Sequence, residues 1–296
     1  MILRFIQIFI GAFAAIQGLI LTKFFVTDRE KNLTGKDYGI FWISGFVINI
    51  FDYLGIGSLA PTMSLYKLTK TVPDELIPGT LVTGCAVPVA VEALVSLSII
   101  DVELPTLFGM YGAGILGAFV GGSVASKLPT KILRITMGCG LAISAILMMM
   151  SKFGMIPVGG ENIGLHGVKL AIACVGSFIL GSLLTVGIGN YAPTMCLVYL
   201  LGMNPAVSFP IMMGLGFLGV GSGSFPYFKS GRYHKHAAFA FALAGIPGVL
   251  VAAFIVKSMP LELLQWLVIA VAIYTSVTMF ISAAKVPDGR KEEVVS

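Results

Sequence analysis

Charge is what this sequence has least of. Only 11% of its 296 residues are Asp, Glu, Lys or Arg, against roughly 25% in soluble domains, and that scarcity excludes a soluble globular fold. Histidine is almost missing: His166, His234 and His236 are the only three, and all fall in connectors between apolar runs. The four cysteines, Cys85, Cys139, Cys174 and Cys196, sit inside apolar segments with no C-x-x-C pair. They read as small packing residues, not as a disulfide framework or a metal site. No H-E-x-x-H, no G-x-S-x-G and no ATP-binding segment occurs, so no catalytic constellation and no cofactor are implied. The net charge of +5 resides in loops, where it reports membrane orientation and not a nucleic-acid partner.

What the sequence has instead is apolar length. Hydrophobic residues make up 57% and the mean hydropathy is +0.96. Apolar segments fall near 2–26, 39–68, 76–100, 106–126, 131–152, 168–201, 206–228, 237–257 and 261–284. Such a pattern is that of an all-α polytopic membrane protein, each backbone group satisfied within its own helix. The 36 glycines suit close helix contacts. The first apolar run exceeds the length of a signal-peptide core and no A-x-A site ends it, so a retained first helix is expected. A single transmembrane domain is expected over 1–296, with an N-terminal helix and connector at 1–38, then 39–152, 168–284 and a charged cytoplasmic tail at 285–296.

Segments 39–68 and 168–201 are too long for one ordinary span, and both contain nearly the same eleven residues. "GIGSLAPTMSL" begins at Gly55 and "GIGNYAPTMCL" at Gly187, an offset of 132 (187 less 55). Over 55–84 and 187–216, twelve of thirty positions are identical, where composition alone would give roughly two or three. The chain therefore reads as two repeats, each a broken or re-entrant segment followed by three helices.

Connector charges orient the repeats. Lys67 and Lys70, and then Lys127, Lys131 and Arg134, flank a connector with Asp101 and Glu103 and no cation. In the second half the signs exchange, because the counterpart of the acidic connector holds Lys229, Arg232 and Lys235. The repeats are thus expected to be inverted, with 27–38 and 229–236 cytoplasmic, 153–167 and 202–205 outside, and each broken segment returning to the side it left.

Gly-Ile-Gly ends or unwinds a helix, and Pro61 and Pro193 fall in the first turn of the helix that follows. Ser58 and Asn190 stand near the N-cap, where a side chain accepts backbone N–H bonds. The expected product is a short helix whose N-terminus, with free amides and roughly half a positive charge, faces the membrane interior as a site for a small anion. Two such ends from inverted repeats would converge near the midplane. Asn49, Thr62 and Thr194 add polar groups beside them, giving candidate substrate contacts at Asn49, Gly55, Gly57, Ser58, Pro61, Thr62, Gly187, Gly189, Asn190, Pro193 and Thr194. The alternative is an ordinary Gly/Pro kink patched by hydroxyls.

Asp52 and Glu92 are the carboxylates inside apolar stretches, and intramembrane carboxylates are proton-coupling candidates. Against this, Asp52 suits a helix cap, and Glu92 lies about two turns from its segment's end. "GLGFLG" at Gly214 lies inside a membrane segment and reads as glycine packing, not a dinucleotide loop. "HKH" at His234 reads as a topology signal. "NPA" at Asn204 resembles the boxes of water and glycerol channels, but its counterpart is Val72-Pro73-Asp74, so it reads as a helix start. Gly112, Gly117, Gly121 and Gly122 suit a close helix contact, either within the chain or in a homo-oligomer.

The paired Gly-rich breaks, each followed by Pro and a short helix, together with "IPGTL" at Ile77–Leu81, resemble the sulfite exporter TauE/SafE family of bacterial permeases. The resemblance covers about 39–284. It implies a permease of the cytoplasmic membrane that moves sulfite, sulfonates or related organic anions. It also implies that Gly55, Gly57, Pro61, Gly187, Gly189 and Pro193 line the substrate path. Many members carry three consecutive glycines at this point, whereas this chain has Gly-Ile-Gly-Ser and Gly-Ile-Gly-Asn. The expected function is secondary transport of a small anion by alternating access. A passive anion channel and a membrane-embedded accessory protein are the alternatives.

Overall fold

A computed structural model of the chain describes residues 2–27, 33–121, 129–155, 160–184 and 189–285. The chain is an all-α polytopic membrane protein. Its described helices are α1 (Ile2–Thr27), α2 (Gly35–Tyr53), α3 (Leu59–Thr69), α4 (Ile77–Ile99), α5 (Leu104–Leu116), α6 (Thr130–Lys152), α7 (Gly167–Leu184), α8 (Tyr191–Leu200), α9 (Ser208–Ser230), α10 (Lys235–Ser258) and α11 (Leu261–Ala284). Among the described residues, seven helices are long and apolar enough to cross a bilayer. Burial is inverted relative to a soluble protein. Phe5, Leu19, Val168 and Phe254 are largely exposed, while Gln17, Asn49, Asp52 and Glu92 are buried. Hydrocarbon outside and hydrogen-bonding groups inside is the arrangement a lipid solvent demands.

Short elements recur in the same order in both halves of the sequence. After the 11-residue α3 comes one 3-10 turn at Asp74–Leu76 and then the 23-residue α4. After the 10-residue α8 comes one 3-10 turn at Pro205–Val207 and then the 23-residue α9. Asn204 starts that second turn by accepting from the Ala206 amide at 2.9 Å, so "NPA" is a local cap here.

The helices gather into two compact units, one comprising Met1–Ile99 with Gly216–Ser258, the other Ile100–Leu215 with Met259–Ser296. In the first unit α2 and α4 both pack on α10, and α1 packs along α4. Thr34 and Asp37 form a capping box that starts α2. At that same end Tyr38 Oη lies 2.7 Å from His236 Nδ1, and the His234 amide donates to Thr80 Oγ1 at 2.8 Å. Phe41, Tyr66, Val72, Ile77 and Ala237 close the cluster. The start of α2 and the finish of α3 therefore lie at one end of the unit, and segment 35–69 folds back on itself.

In the second unit α6 pairs with α11 and α5 with α7, while α8 lies against α6 and α11. Here the Glu103 amide donates to the Ile163 carbonyl at 3.0 Å, and the Asn204 amide to the Asn162 carbonyl at 2.9 Å. The Leu165 amide donates to Thr106 Oγ1 at 2.8 Å. The start of α7 and the finish of α8 are thereby held at one end, so segment 167–200 is a hairpin as well.

Each unit has a crossing that only glycine permits. A Cβ on Gly248 of α10 would run into the Phe46 carbonyl of α2, and a Cβ on Gly117 after α5 would run into the Phe178 carbonyl of α7. Phe46 and Phe178 are 132 residues apart and Gly117 and Gly248 are 131 apart (178 less 46; 248 less 117). The two crossings therefore use matching positions with the halves exchanged. Gly117 is thus an intrachain contact, Gly112 meets no neighbour, and Gly122 lies outside the described residues.

The histidines of "HKH" are more than a topology signal. His234 and His236 are buried. His234 Nδ1 accepts from the Ala237 amide at 3.2 Å at the start of α10, and His236 packs edge-on to Phe25. Their aromatic neighbours, Phe25, Tyr38 and Phe41, lie far away in sequence, which is why the connector's basic composition concealed them.

Candidate functional site

The first break is built by helix-ending geometry. After Tyr53 the Gly55 amide donates to the Asp52 carbonyl at 2.9 Å and the Ile56 amide to the Phe51 carbonyl at 3.1 Å. This paired closure requires a left-handed residue, and Gly55 supplies it at φ 94°, with Gly57 following at φ 90°. Ser58 is then the N-cap of α3, but its side chain makes no capping bond. Thr62, fully buried, instead turns its hydroxyl back to the Ser58 carbonyl at 2.7 Å. Pro61 is half-buried in the first turn.

Ser58 is engaged across the break. The almost fully buried Asp52 carboxyl lies near Ser58. Ser58 Oγ also lies 3.5 Å from Cys85 Sγ on α4. On the same face of α4, seven and eleven residues on, come Glu92 and Ser96, both fully buried. Tyr53 Oη meets Ser96 Oγ at 3.0 Å. A buried polar cluster of Asp52, Tyr53, Ser58, Cys85, Glu92 and Ser96 thus lies within the first unit. Asn49, one turn before Asp52, donates from Nδ2 to the Gly45 carbonyl at 2.6 Å. Its buried Oδ1 has no partner, and neither has Asp52 Oδ2.

The second break differs. Residues 185–188, and with them Gly187, lie outside the described residues. Gly189 is exposed and nothing approaches it. Asn190 is the N-cap of α8, again without a capping bond, and its Nδ2 reaches the Met212 carbonyl at 3.3 Å. Pro193 and Thr194 are buried in the first turn and just beyond it. Thr194 is fully buried, yet its Oγ1 has no partner, unlike that of its counterpart Thr62. The position matching Asp52 is Leu184, and the one matching Glu92 is Ser224.

Ser58 and Asn190 therefore stand at the expected N-caps, but neither side chain does the expected capping. In the first break Ser58 Oγ lies against Cys85 instead, and in the second Asn190 is drawn to α9. Sequence reading did not find Cys85, Tyr53 and Ser96 beside the break. Only the i, i+7, i+11 spacing of Cys85, Glu92 and Ser96 on one helix face marked them.

A separate depression of about 480 Å³ in the second unit is lined by Glu103, Glu161, Asn162, His166 and Lys169, among others, and by none of the break residues. His166 Nε2 lies 3.2 Å from Glu103 Oε2 there, which ties the 160–166 loop to the start of α5. Comparisons with protein-family models, characterised proteins and solved structures find no match to this chain.

Proposed function

We propose that the chain is a secondary transporter of small anions, of the sulfite or sulfonate class, working by alternating access in the cytoplasmic membrane. The observation that carries this reading is the pair of short helices, α3 and α8, each starting inside an apolar segment at an N-cap whose side chain does not cap it. A helix start left in that condition has first-turn amides without intrahelical acceptors and a positive dipole end. It can replace an oxyanion's hydration shell without a buried Lys or Arg. The resemblance of the repeated breaks to the TauE/SafE permeases supports the same class of solute. In this reading Asn49, Gly55, Gly57, Ser58, Pro61, Thr62, Gly187, Gly189, Asn190, Pro193 and Thr194 line the solute's path.

Asp52 and Glu92 are the proton-coupling groups in this account, because buried carboxyls in a membrane helix are the ordinary means of tying solute movement to a proton gradient. Basic residues at the shared end of the first unit (Lys36, Lys67, Lys70, Arg232 and Lys235) support a cytoplasmic side for that end, and a cytoplasmic C-terminus belongs to the same reading.

The test is flux in proteoliposomes of the purified full chain, with ³⁵S-sulfite as solute. Accumulation above the equilibrium level under an imposed pH gradient supports the transporter. Flux that only dissipates the sulfite gradient identifies a channel instead, and no sulfite or sulfonate flux at all would refute both.

A further inference from the structure

Two oxygens inside the first unit have no hydrogen to accept. Asn49 is fully buried and gives Nδ2 to the Gly45 carbonyl at 2.6 Å. A carbonyl only accepts, so that bond fixes the other end of the amide, Oδ1, as a buried acceptor without a donor. One turn on, on the same face of α2, the almost fully buried Asp52 carboxyl has an Oδ2 in the same condition. A third acceptor comes from α4, where Pro88 lies inside the helix and, lacking an N–H, withholds the ordinary partner of the Gly84 carbonyl. This turn of α4 borders Asn49. A Cβ on Gly245 of α10 would meet both the Pro88 ring and the Asn49 amide, and one on Gly84 would touch Ala238 of the same helix. No lysine or arginine lies in α2 beyond Lys36, in α4, or in α10 between His236 and Lys257.

We propose that Asn49 Oδ1, Asp52 Oδ2 and the Gly84 carbonyl hold a dehydrated sodium ion, which competes with the proton for Asp52. This deepens the transporter reading by naming a second coupling ion, and it rests on that reading for the use of the ion but not for its binding. Buried acceptors left unpaired cost free energy, and a set made wholly of oxygens is satisfied only by a donor or a cation. Hard oxygen ligands suit an alkali or alkaline-earth ion and not a transition metal. Within this set Asp52 supplies one negative charge, and a buried charge left unbalanced is costly, so the monovalent ion fits. Protonated, Asp52 loses that charge, and each ion then excludes the other. The titratable groups buried in the elements around it are Tyr53 on α2, Tyr66 on α3, and Cys85 and Glu92 on α4, none of them cationic. The matching residues of the second repeat, Gly181, Leu184 and Val220, offer neither the side-chain oxygens nor the proline, so the chain carries this set once.

Equilibrium dialysis of the detergent-purified full chain against ²²Na⁺ in choline buffer tests this. The wild type is expected to bind one sodium per chain, displaced by unlabelled sodium and not by choline, with affinity that falls as pH is lowered. Asp52→Asn is expected to remove binding and Asn49→Leu to weaken it tenfold or more, whereas Glu103→Gln, in the second unit, leaves it unchanged. A monodisperse elution profile qualifies each variant. A sodium-dependent rise in thermal midpoint, present in the wild type and absent in Asp52→Asn, reads the same site without label. No sodium bound by the wild type, affinity undiminished in both Asp52→Asn and Asn49→Leu, or displacement of the label by micromolar calcium would overturn the site. Sulfite flux in sodium-free proteoliposomes is a separate measurement, and its failure would remove the transporter reading while leaving the sodium site standing.

Discussion

Residues 49–62 and 181–194 carry the same motif twice, and several of the differences between them are polar. The first copy has Asn49, Asp52 and Ser58 where the second has Gly181, Leu184 and Asn190. What survives in both is the backbone device: a helix that ends, a Gly-Ile-Gly, and a new helix with Pro in its first turn. Both copies keep a helix start after the motif, while the first carries carboxylates where the second is neutral. The same contrast runs along the next helix, where Cys85, Glu92 and Ser96 on α4 face Phe217, Ser224 and Phe228 at matching positions of α9. Titration chemistry therefore belongs to the first break, and the second keeps an unpartnered hydroxyl.

The sharpest way to break that comparison is to remove the carboxyl that only the first half has. Glu92→Gln is expected to abolish accumulation of ³⁵S-sulfite driven by a pH gradient while leaving exchange at equal pH intact. Undiminished pH-driven accumulation in proteoliposomes would remove Glu92 from the coupling scheme.

Next come the paired threonines. Thr194→Val deletes a buried donor to a charged ligand, a loss of about 1.5–3 kcal/mol, or roughly tenfold or more in Kd. Thr62→Val deletes a hydroxyl already committed to the Ser58 carbonyl and should change Kd by less than about twofold, since its bond is internal to the helix. Equal effects of the two substitutions, measured by binding titration, would contradict the asymmetry.

The glycine crossings sharpen the other side of the comparison, the part that duplication kept. Gly117→Val and Gly248→Val each force a side chain against a backbone carbonyl and should cost about 1–3 kcal/mol, in similar amounts. Gly112→Val, which meets no neighbour, should leave the thermal midpoint nearly unchanged. Unequal losses at the two crossings would mean that the matching positions do unlike work.

The smallest effect is expected at the capping box of α2. Hydrogen bonds from the Thr34 side chain and then its backbone amide hold the exposed Asp37 carboxyl below its ordinary range. A carboxyl depressed in the folded state stabilises above its unfolded pKa, and that contribution fades as pH falls through the lower folded value. Thr34→Ala should cost about 1 kcal/mol at neutral pH and lessen the fall in thermal midpoint between roughly pH 5 and pH 3. An unaltered acid profile would show that the box contributes nothing.

Much of this was legible in the sequence because a membrane constrains it so tightly. Apolar length placed the helices, and the repeated motif falls between α2 and α3 and just before α8. Contacts made across long separations were hidden. Nothing in the composition marked Cys85 as the neighbour of Ser58, or set Tyr38 against His236. Ser58 and Asn190 fit the preferences of an N-cap, and preference could not reveal that Cys85 and Met212 would meet them instead.

The most direct measurement is an anomalous difference map from crystals of the full chain soaked in selenite, an oxyanion with the shape and charge of sulfite. The account predicts a selenium peak at a helix start of the repeated breaks, within hydrogen-bonding reach of first-turn amides. No peak at either helix start would contradict it.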